Sequence, residues 1–272
     1  MSSKLVPSNP SEVMVIRNVT ENITTLSAPF YRFGRIKVGG RGTLVKLPSG
    51  GVAVFSPVAL TPEVRETVSG MGPVKYIAAL DVEHHIFLGP WHEAYPDAKV
   101  IGMEGLPEKR AKQKNEEVPF AVVFPSKDKG SVKVDEDFDT AFDYEFVASH
   151  ANKELVFNYK PERTLIEADL LFNLPAKEQF SKSKDSPTAG ILTKLFTALN
   201  GTSGSGGAQK RFIWYAISSG DRTGFSKSVS KIASWDFDRI IPCHGDVIET
   251  GGKGIFEKIM QWHLDMAKDK KD

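Results

Sequence analysis

His84, His85, His150, Asp169 and His244 each fall where a strand-like run of this 272-residue chain ends. Strand ends on one rim of a sheet structure can converge in space while remaining far apart in sequence. Imidazole and carboxylate together suit a borderline cation such as zinc. Asp169 lies in Leu165-Ile166-Glu167-Ala168-Asp169-Leu170-Leu171-Phe172, an acid in a largely apolar stretch. Burying a carboxylate without a cation or several donors is costly, so the position points to a ligand, with a turn-capping aspartate as the plainer alternative. His244 follows an apolar run and precedes Gly245, whose freedom at positive φ lets the backbone approach a ligand closely. Cys243 alternates away from His244 on a strand and reads as a small buried residue. His92 and His263, each in a helical segment, read as hydrogen-bonded core or rim side chains.

Positioning these residues requires a mixed set of elements. Strand-like runs at 13–17, 23–26, 43–47 and 52–55 dominate the first quarter, with Pro48-Ser49-Gly50-Gly51 as a hairpin turn. Thr61-Pro62-Glu63 supplies an N-cap, a first-turn proline and an early acid, so a helix starts there. A buried strand at 74–80 runs into Asp81-Val82-Glu83-His84-His85, after which Gly89-Pro90-Trp91 opens a short helix. A strand at 98–101 and a basic, exposed helix at 106–114 follow. Phe142, Tyr144 and Phe146 alternate with polar residues as in a half-buried strand, and 155–159 and 164–167 continue the strand pattern. Phe225, Val229 and Ile232, then Ile255, Ile259, Trp262 and Met266, keep helical spacing on either side of a strand at 239–241. The Gly/Ser-rich segment 200–208 reads as a flexible loop. It lacks the Gly-Lys-Ser/Thr of a phosphate loop and the G-x-S-x-G of a serine-hydrolase elbow.

Composition narrows the function classes. Apolar residues make up 40% and charged residues 25%, values that supply a full core. The net charge of +1 predicts no electrostatic pull toward nucleic acid or an anionic membrane. One cysteine allows no intrachain disulfide, which fits a reducing, cytoplasmic setting. No apolar run approaches the ~20 residues that span a bilayer. Residues 1–12 are polar, hold two prolines and lack the apolar stretch of a signal peptide. They read as a flexible arm before a single domain at 13–268. The N-x-T triplets at Asn18, Asn22 and Asn200 read as chance in that setting.

The order of motifs resembles the metallo-β-lactamase-like hydrolases. That superfamily carries H-x-H-x-D-H after one strand, a later histidine, an aspartate in a GDLLF-like stretch and a histidine in a GHG-like turn. Here Ala168-Asp169-Leu170-Leu171-Phe172 is similar to the aspartate stretch and Cys243-His244-Gly245 to the final turn, while His150 falls near the middle histidine. The resemblance runs from about Val13 to the C-terminal helix. More narrowly, the chain resembles a branch of that superfamily marked by Gly42-Thr43-Leu44-Val45-Lys46-Leu47, Phe55-Ser56-Pro57-Val58 and His84-His85-Ile86-Phe87-Leu88-Gly89. It implies an α/β fold, a four-layer αββα sandwich with a metal site at the strand ends.

Aligning His84-His85 with the D-H pair puts Leu80 and Val82 where two histidines belong, and aliphatic side chains do not bind metal. One metal position is then lost, and the other keeps His84, His85, Asp169 and His244 as candidate ligands of one zinc ion. A one-residue slip instead places Asp81 and Glu83 in the first two positions, a set that favours manganese or magnesium. Either way the expectation is a hydrolase acting on an ester, lactone, thioester or amide of a small molecule through a metal-bound hydroxide. His84, His150 and Glu83 are its candidate proton carriers. Trp91, Phe87 and the Gly/Ser segment are candidates for a substrate wall. The alternative is a metal-free or metal-positioned small-molecule binding protein, or a lyase or isomerase, on the same fold.

Overall fold

A computed structural model describes residues 5–269. It is a four-layer αββα sandwich built on two main sheets. The first sheet has the order β1 (Val15–Asn18), β2 (Ile23–Ala28), β5 (Gly40–Lys46), β6 (Val52–Phe55), β7 (Val74–Ala78), β8 (Lys99–Met103) and β9 (Phe120–Phe124). A small hairpin, β3 (Tyr31–Arg32) and β4 (Ile36–Lys37), is inserted between β2 and β5. The second sheet has the order β10 (Phe142–Val147), β11 (Glu154–Tyr159), β12 (Thr164–Glu167) and β13 (Arg239–Pro242). The helices are α1 (Pro10–Val13), α2 (Pro62–Met71), α3 (Leu88–Ala94), α4 (Leu106–Lys112), α5 (Glu136–Ala141), α6 (Ile191–Leu199), α7 (Gly207–Phe212), α8 (Arg222–Ser234) and α9 (Gly252–Lys268).

Pairing is antiparallel from β1 to β6 and parallel from β6 to β9, because α2, α3 and α4 carry the chain back between successive strands. The start of α2 shows the expected cap: Thr61 Oγ1 accepts from the Val64 amide at 3.4 Å, and Pro62 opens the first turn. In the second sheet β12 and β13 are parallel, so the segments after both strands emerge at the same rim.

Period-two alternation divides the second sheet's side chains between two cores. Phe146, Leu155, Phe157, Ile166 and Ile241 face the first sheet. Val147, Val156, Leu165 and Ile240 face the other way, onto Phe225 and Val229 of α8 and Phe256 and Ile259 of α9. The strand expected to be half-buried at β10 is therefore covered on both faces, because α8 lies across Val147. Phe55, Phe138, Phe142 and Phe157 meet at centroid distances of 4.6 to 6.4 Å where the sheets pack together.

Two expectations about mobile segments meet local anchors. The Gly/Ser segment is pinned: Lys258 Nζ donates to Thr202 O and Gly204 O, and Thr202 Oγ1 donates to Asn173 Oδ1. Residues 1–4 of the expected arm lie outside the described residues. From Leu5 on, the arm accepts a bond from the Tyr31 amide and forms α1. Among the described residues, no helix is long and apolar enough to cross a membrane.

Candidate metal centre

The carboxy ends of β7, β12 and β13 meet at one rim. A pair of bonds between the sheets closes it: the Leu155 amide donates to Leu80 O at 2.6 Å and the Val82 amide to Asn152 O at 3.1 Å. Residues 81–87 form a turn and not a continued strand, so alternation does not govern where their side chains point. Asp81 is fully buried, and its Oδ1 accepts from the Glu83 and His84 amides, each at 2.7 Å, and from His84 Nδ1 at 2.8 Å. This aspartate-centred turn aims His84 inward.

His84, Asp169 and His244 converge, with one potential ligand atom from each lying within 4.8 Å of the others. His84 Nε2 lies 3.1 Å from His244 Nε2, which is 3.2 Å from Asp169 Oδ1. The outer nitrogens of both rings are committed. His244 Nδ1 donates to Gly39 O at 2.6 Å, and His84 Nδ1 donates to Asp81. In the neutral rings both Nε2 atoms therefore present lone pairs to one another, and two lone pairs 3.1 Å apart need a cation or a shared proton between them. Asp169 Oδ1 is buried with no hydrogen-bond partner of its own, while Oδ2 accepts from Asn152 Nδ2 at 2.6 Å. Two locked imidazoles and an unsatisfied carboxylate oxygen fit a divalent cation.

Electrostatics favour positive charge at this point. Burial opposes a charge on His84, but the Asp81 and Asp169 carboxylates outweigh it and push its pKa up to about 9. Burial likewise opposes ionisation of Asp169, and His84 and His244 more than offset it, holding the carboxyl well below its usual range. Beneath them Glu154 and Glu167 are fully buried and pushed well up, by burial first and then by neighbouring carboxylates. Glu154 holds the Ala168 and Asp169 amides at 2.8 and 3.0 Å and so fixes the backbone that presents Asp169.

The His244 turn is braced from several sides. Arg41, buried on β5, donates to Pro242 O at 2.7 Å and Gly245 O at 2.6 Å, with Ser27 and Glu178 completing its shell. Gln179 donates to Cys243 O at 2.7 Å and accepts from the Gly245 amide at 3.0 Å. Gly245 adopts φ +96°, and a Cβ there would sit 2.1 Å from Asn173 O, so the glycine is required. Phe172 stacks on the His244 ring at 5.5 Å and 7°. Asn152, Arg41, Gln179 and Gly39 carry no sequence signal of their own. Only Asn152, two residues from His150, lay near a candidate.

Several expected site residues stand elsewhere. His85 is outside the group: Arg110 donates to its Nδ1 at 3.2 Å and to its carbonyl at 3.0 Å. Burial, then Arg110 and Lys109, lower the His85 pKa to about 4, and its Nδ1 lone pair is committed to the Arg110 guanidinium. The helix expected to be basic and exposed thus buries Arg110 to hold His85. Glu83 is exposed, is paired with Lys109 and is not among the three converging residues. Asp81 supports His84 from behind, so the Asp81/Glu83 ligand set does not assemble. His150 is buried with both nitrogens engaged: Nδ1 accepts from the Asn152 amide at 3.0 Å and Nε2 faces Asp169 O at 3.3 Å. It props the Asp169 segment and does not reach the opening. Trp91 is fully buried, its indole donating to Val58 O, and forms no substrate wall.

An open depression of about 770 Å³ lies at the opposite rim, around Ser49, Lys75, Tyr76, Lys99 and Asp135. Its lysines are already paired, Lys75 with Asp137 and Lys99 with Asp135, and no histidine lines it.

Residues 31–188 match a family described as a domain of unknown function, DUF4336. The chain belongs to this family. No protein of curated function matches the sequence. Among solved structures the chain is similar to the metallo-β-lactamase FIM-1 from Pseudomonas aeruginosa in its mono-zinc form, with 10% identity over 93% of this chain and 96% of that one and a TM-score of 0.55. It is similar to a metallo-β-lactamase from Hirschia baltica at 8% identity over 92% and 97%, TM-score 0.56. The metal-soaked Flv1 flavodiiron core from Synechocystis sp. PCC6803 gives 12% identity over 92% of this chain and 60% of that one, TM-score 0.57. At these identities the likeness establishes the metallo-β-lactamase fold.

Proposed function

We propose that this DUF4336 protein is a metal-dependent hydrolase with a mononuclear site, in which His84, Asp169 and His244 hold one divalent ion, zinc by the chemistry of its donors. The observation that carries the reading is the pair of Nε2 atoms, locked by Gly39 and Asp81, facing the unsatisfied Asp169 Oδ1. When bound, such an ion supplies Lewis acidity and brings a water's pKa toward neutrality. The chain's own groups do the rest. Asp169 and His244 are almost wholly buried, whereas the His84 side chain keeps 16% of its surface exposed, so substrate arrives from the His84 side. Asp81 accepts from His84 Nδ1 and so fixes the ring with Nε2 turned toward the position the ion would take. Arg32 on β3 acts electrostatically on both His84 and Asp169 and is placed to attract an anionic or strongly polar substrate group. The substrate class is an ester, lactone, thioester or amide of a small molecule.

Elemental analysis of the purified full-length protein, combined with a hydrolysis screen over those four substrate classes, tests this. About one equivalent of metal and activity abolished by chelator and restored by zinc are expected. Protein without stoichiometric metal, or hydrolysis indifferent to chelator, would overturn the reading in favour of a metal-free binding protein.

A further inference from the structure

Helix α6 turns an apolar face to solvent. Ile191, Leu192, Leu195 and Leu199 are spaced to share one side of the helix, and all are exposed, Ile191 at 78% and Leu195 at 60%. Single exposed aliphatics are ordinary on a protein surface, but four in one stripe are not. The opposite side of the helix is held to the body: Thr193 Oγ1 accepts from the Lys37 amide of the β3–β4 hairpin, and Phe196 packs edge-on against Phe172 and Phe212. The stripe is therefore fixed outward and is not a loose segment awaiting its own core.

The charge around the stripe is one-sided. The hairpin at 31–37, the segment 181–199 and α7 together carry eight lysines and arginines against the single acid Asp185, although the whole chain is only +1. Lys182, Lys184, Lys194, Arg35 and Arg211 are exposed, and Asp185 is occupied by Lys37 and the Tyr31 hydroxyl. Phe33, at the hairpin tip, is 76% exposed with Arg32 over its ring. Apolar side chains ringed by basic ones are what an anionic bilayer surface receives: the aliphatics enter the acyl boundary while the cations meet the headgroups. A second copy of the chain set face to face on the same stripe would bring like charges together, which disfavours that occupant.

We propose that α6 and the β3–β4 hairpin form a docking surface for anionic lipid bilayers. Through Phe196 and Phe172 this surface is two side chains from the His244 ring, so docking places the rim of the metal centre beside the membrane. The proposal does not depend on whether that centre holds metal.

Co-sedimentation of the full chain with vesicles of phosphatidylcholine containing about 30% phosphatidylserine, against pure phosphatidylcholine vesicles, is the test. Binding to the anionic vesicles alone, weakened by salt, is expected. The variants L192E/L195E and R35E/K194E, at exposed positions, should each weaken binding about 10-fold or more while leaving the melting temperature within ~2 °C. Failure of the wild type to bind, or variants that bind like it, overturns the proposal. So does self-association in analytical ultracentrifugation that is lost in L192E/L195E without any vesicle binding, which would assign the face to a second copy.

Discussion

Three side chains at the rim have each been given one job by their second contact. His244 is turned by Gly39 O, His84 by Asp81, and Asp169 by Asn152, and each leaves one atom free toward the common centre. Removing a ligand should therefore differ sharply from removing a neighbour. His244→Ala and Asp169→Asn are expected to abolish stoichiometric zinc in calorimetric titration, whereas His85→Ala should retain it, since that ring is committed to Arg110. Asn152→Ala should retain the site but bind zinc about 10–100-fold more weakly. Away from the centre, His263 is buried between the hydroxyls of Ser218 and Ser226. Burial, then Arg222, lowers its pKa to about 4 from the ordinary 6.5. Between those values the unfolded chain holds the extra proton, so stability is full above the higher value and is lost as pH falls through the window. The loss is about 2–3 kcal/mol. Urea unfolding at pH 7 and pH 4.5 should show wild type losing more stability than His263→Gln by about that amount.

At the scale of elements, a large amount of backbone is clamped to present very few ligands. The β13 turn is held by Arg41 from β5 and by Gln179, across sequence separations of about two hundred and about sixty-five residues. Arg41→Leu would leave two buried carbonyls without their donor and Glu178 with Arg17 alone, and a loss of about 3–5 kcal/mol is expected in chemical denaturation. Gly245→Ala meets both a positive φ and a backbone oxygen, so it should destabilise and also disrupt zinc binding through His244. A Gly245→Ala protein of unchanged stability that still binds zinc normally would show that the turn relaxes more freely than its packing indicates. The elements themselves were largely legible. The cap at Thr61, the strands ending before Asp81, Asp169 and His244, and the two last helices come from local pattern. The hairpin and helices α5 to α7 did not, because they are short and bury only part of a face.

For the whole molecule, the two sheets come from different halves of the chain, and the candidate centre lies where their strand ends meet. A metal bound there cross-links both halves in the folded state alone and must stabilise them together. Zinc at about 100 times its dissociation constant should add about 2.7 kcal/mol. That corresponds to a rise of roughly 5–10 °C in the melting temperature, reversed by chelator and absent in Asp169→Asn. Net charge is the property that misleads at this scale. A total of +1 hides a basic, apolar face on one side of the molecule, because acids distributed elsewhere cancel it in the sum.

The sequence alone determined the fold class and two members of the candidate centre, Asp169 and His244, because an acid in an apolar run and a histidine before a turn glycine are local signals. It also brought His84 and His85 forward together. Only tertiary structure separated them. Asp81 folds the segment into a turn that sends His84 to Asp169 and His244, while Arg110, from a helix 25 residues on, takes His85. Adjacent residues share almost every local property, so which of two neighbouring imidazoles enters a site is decided by what the rest of the chain places beside each.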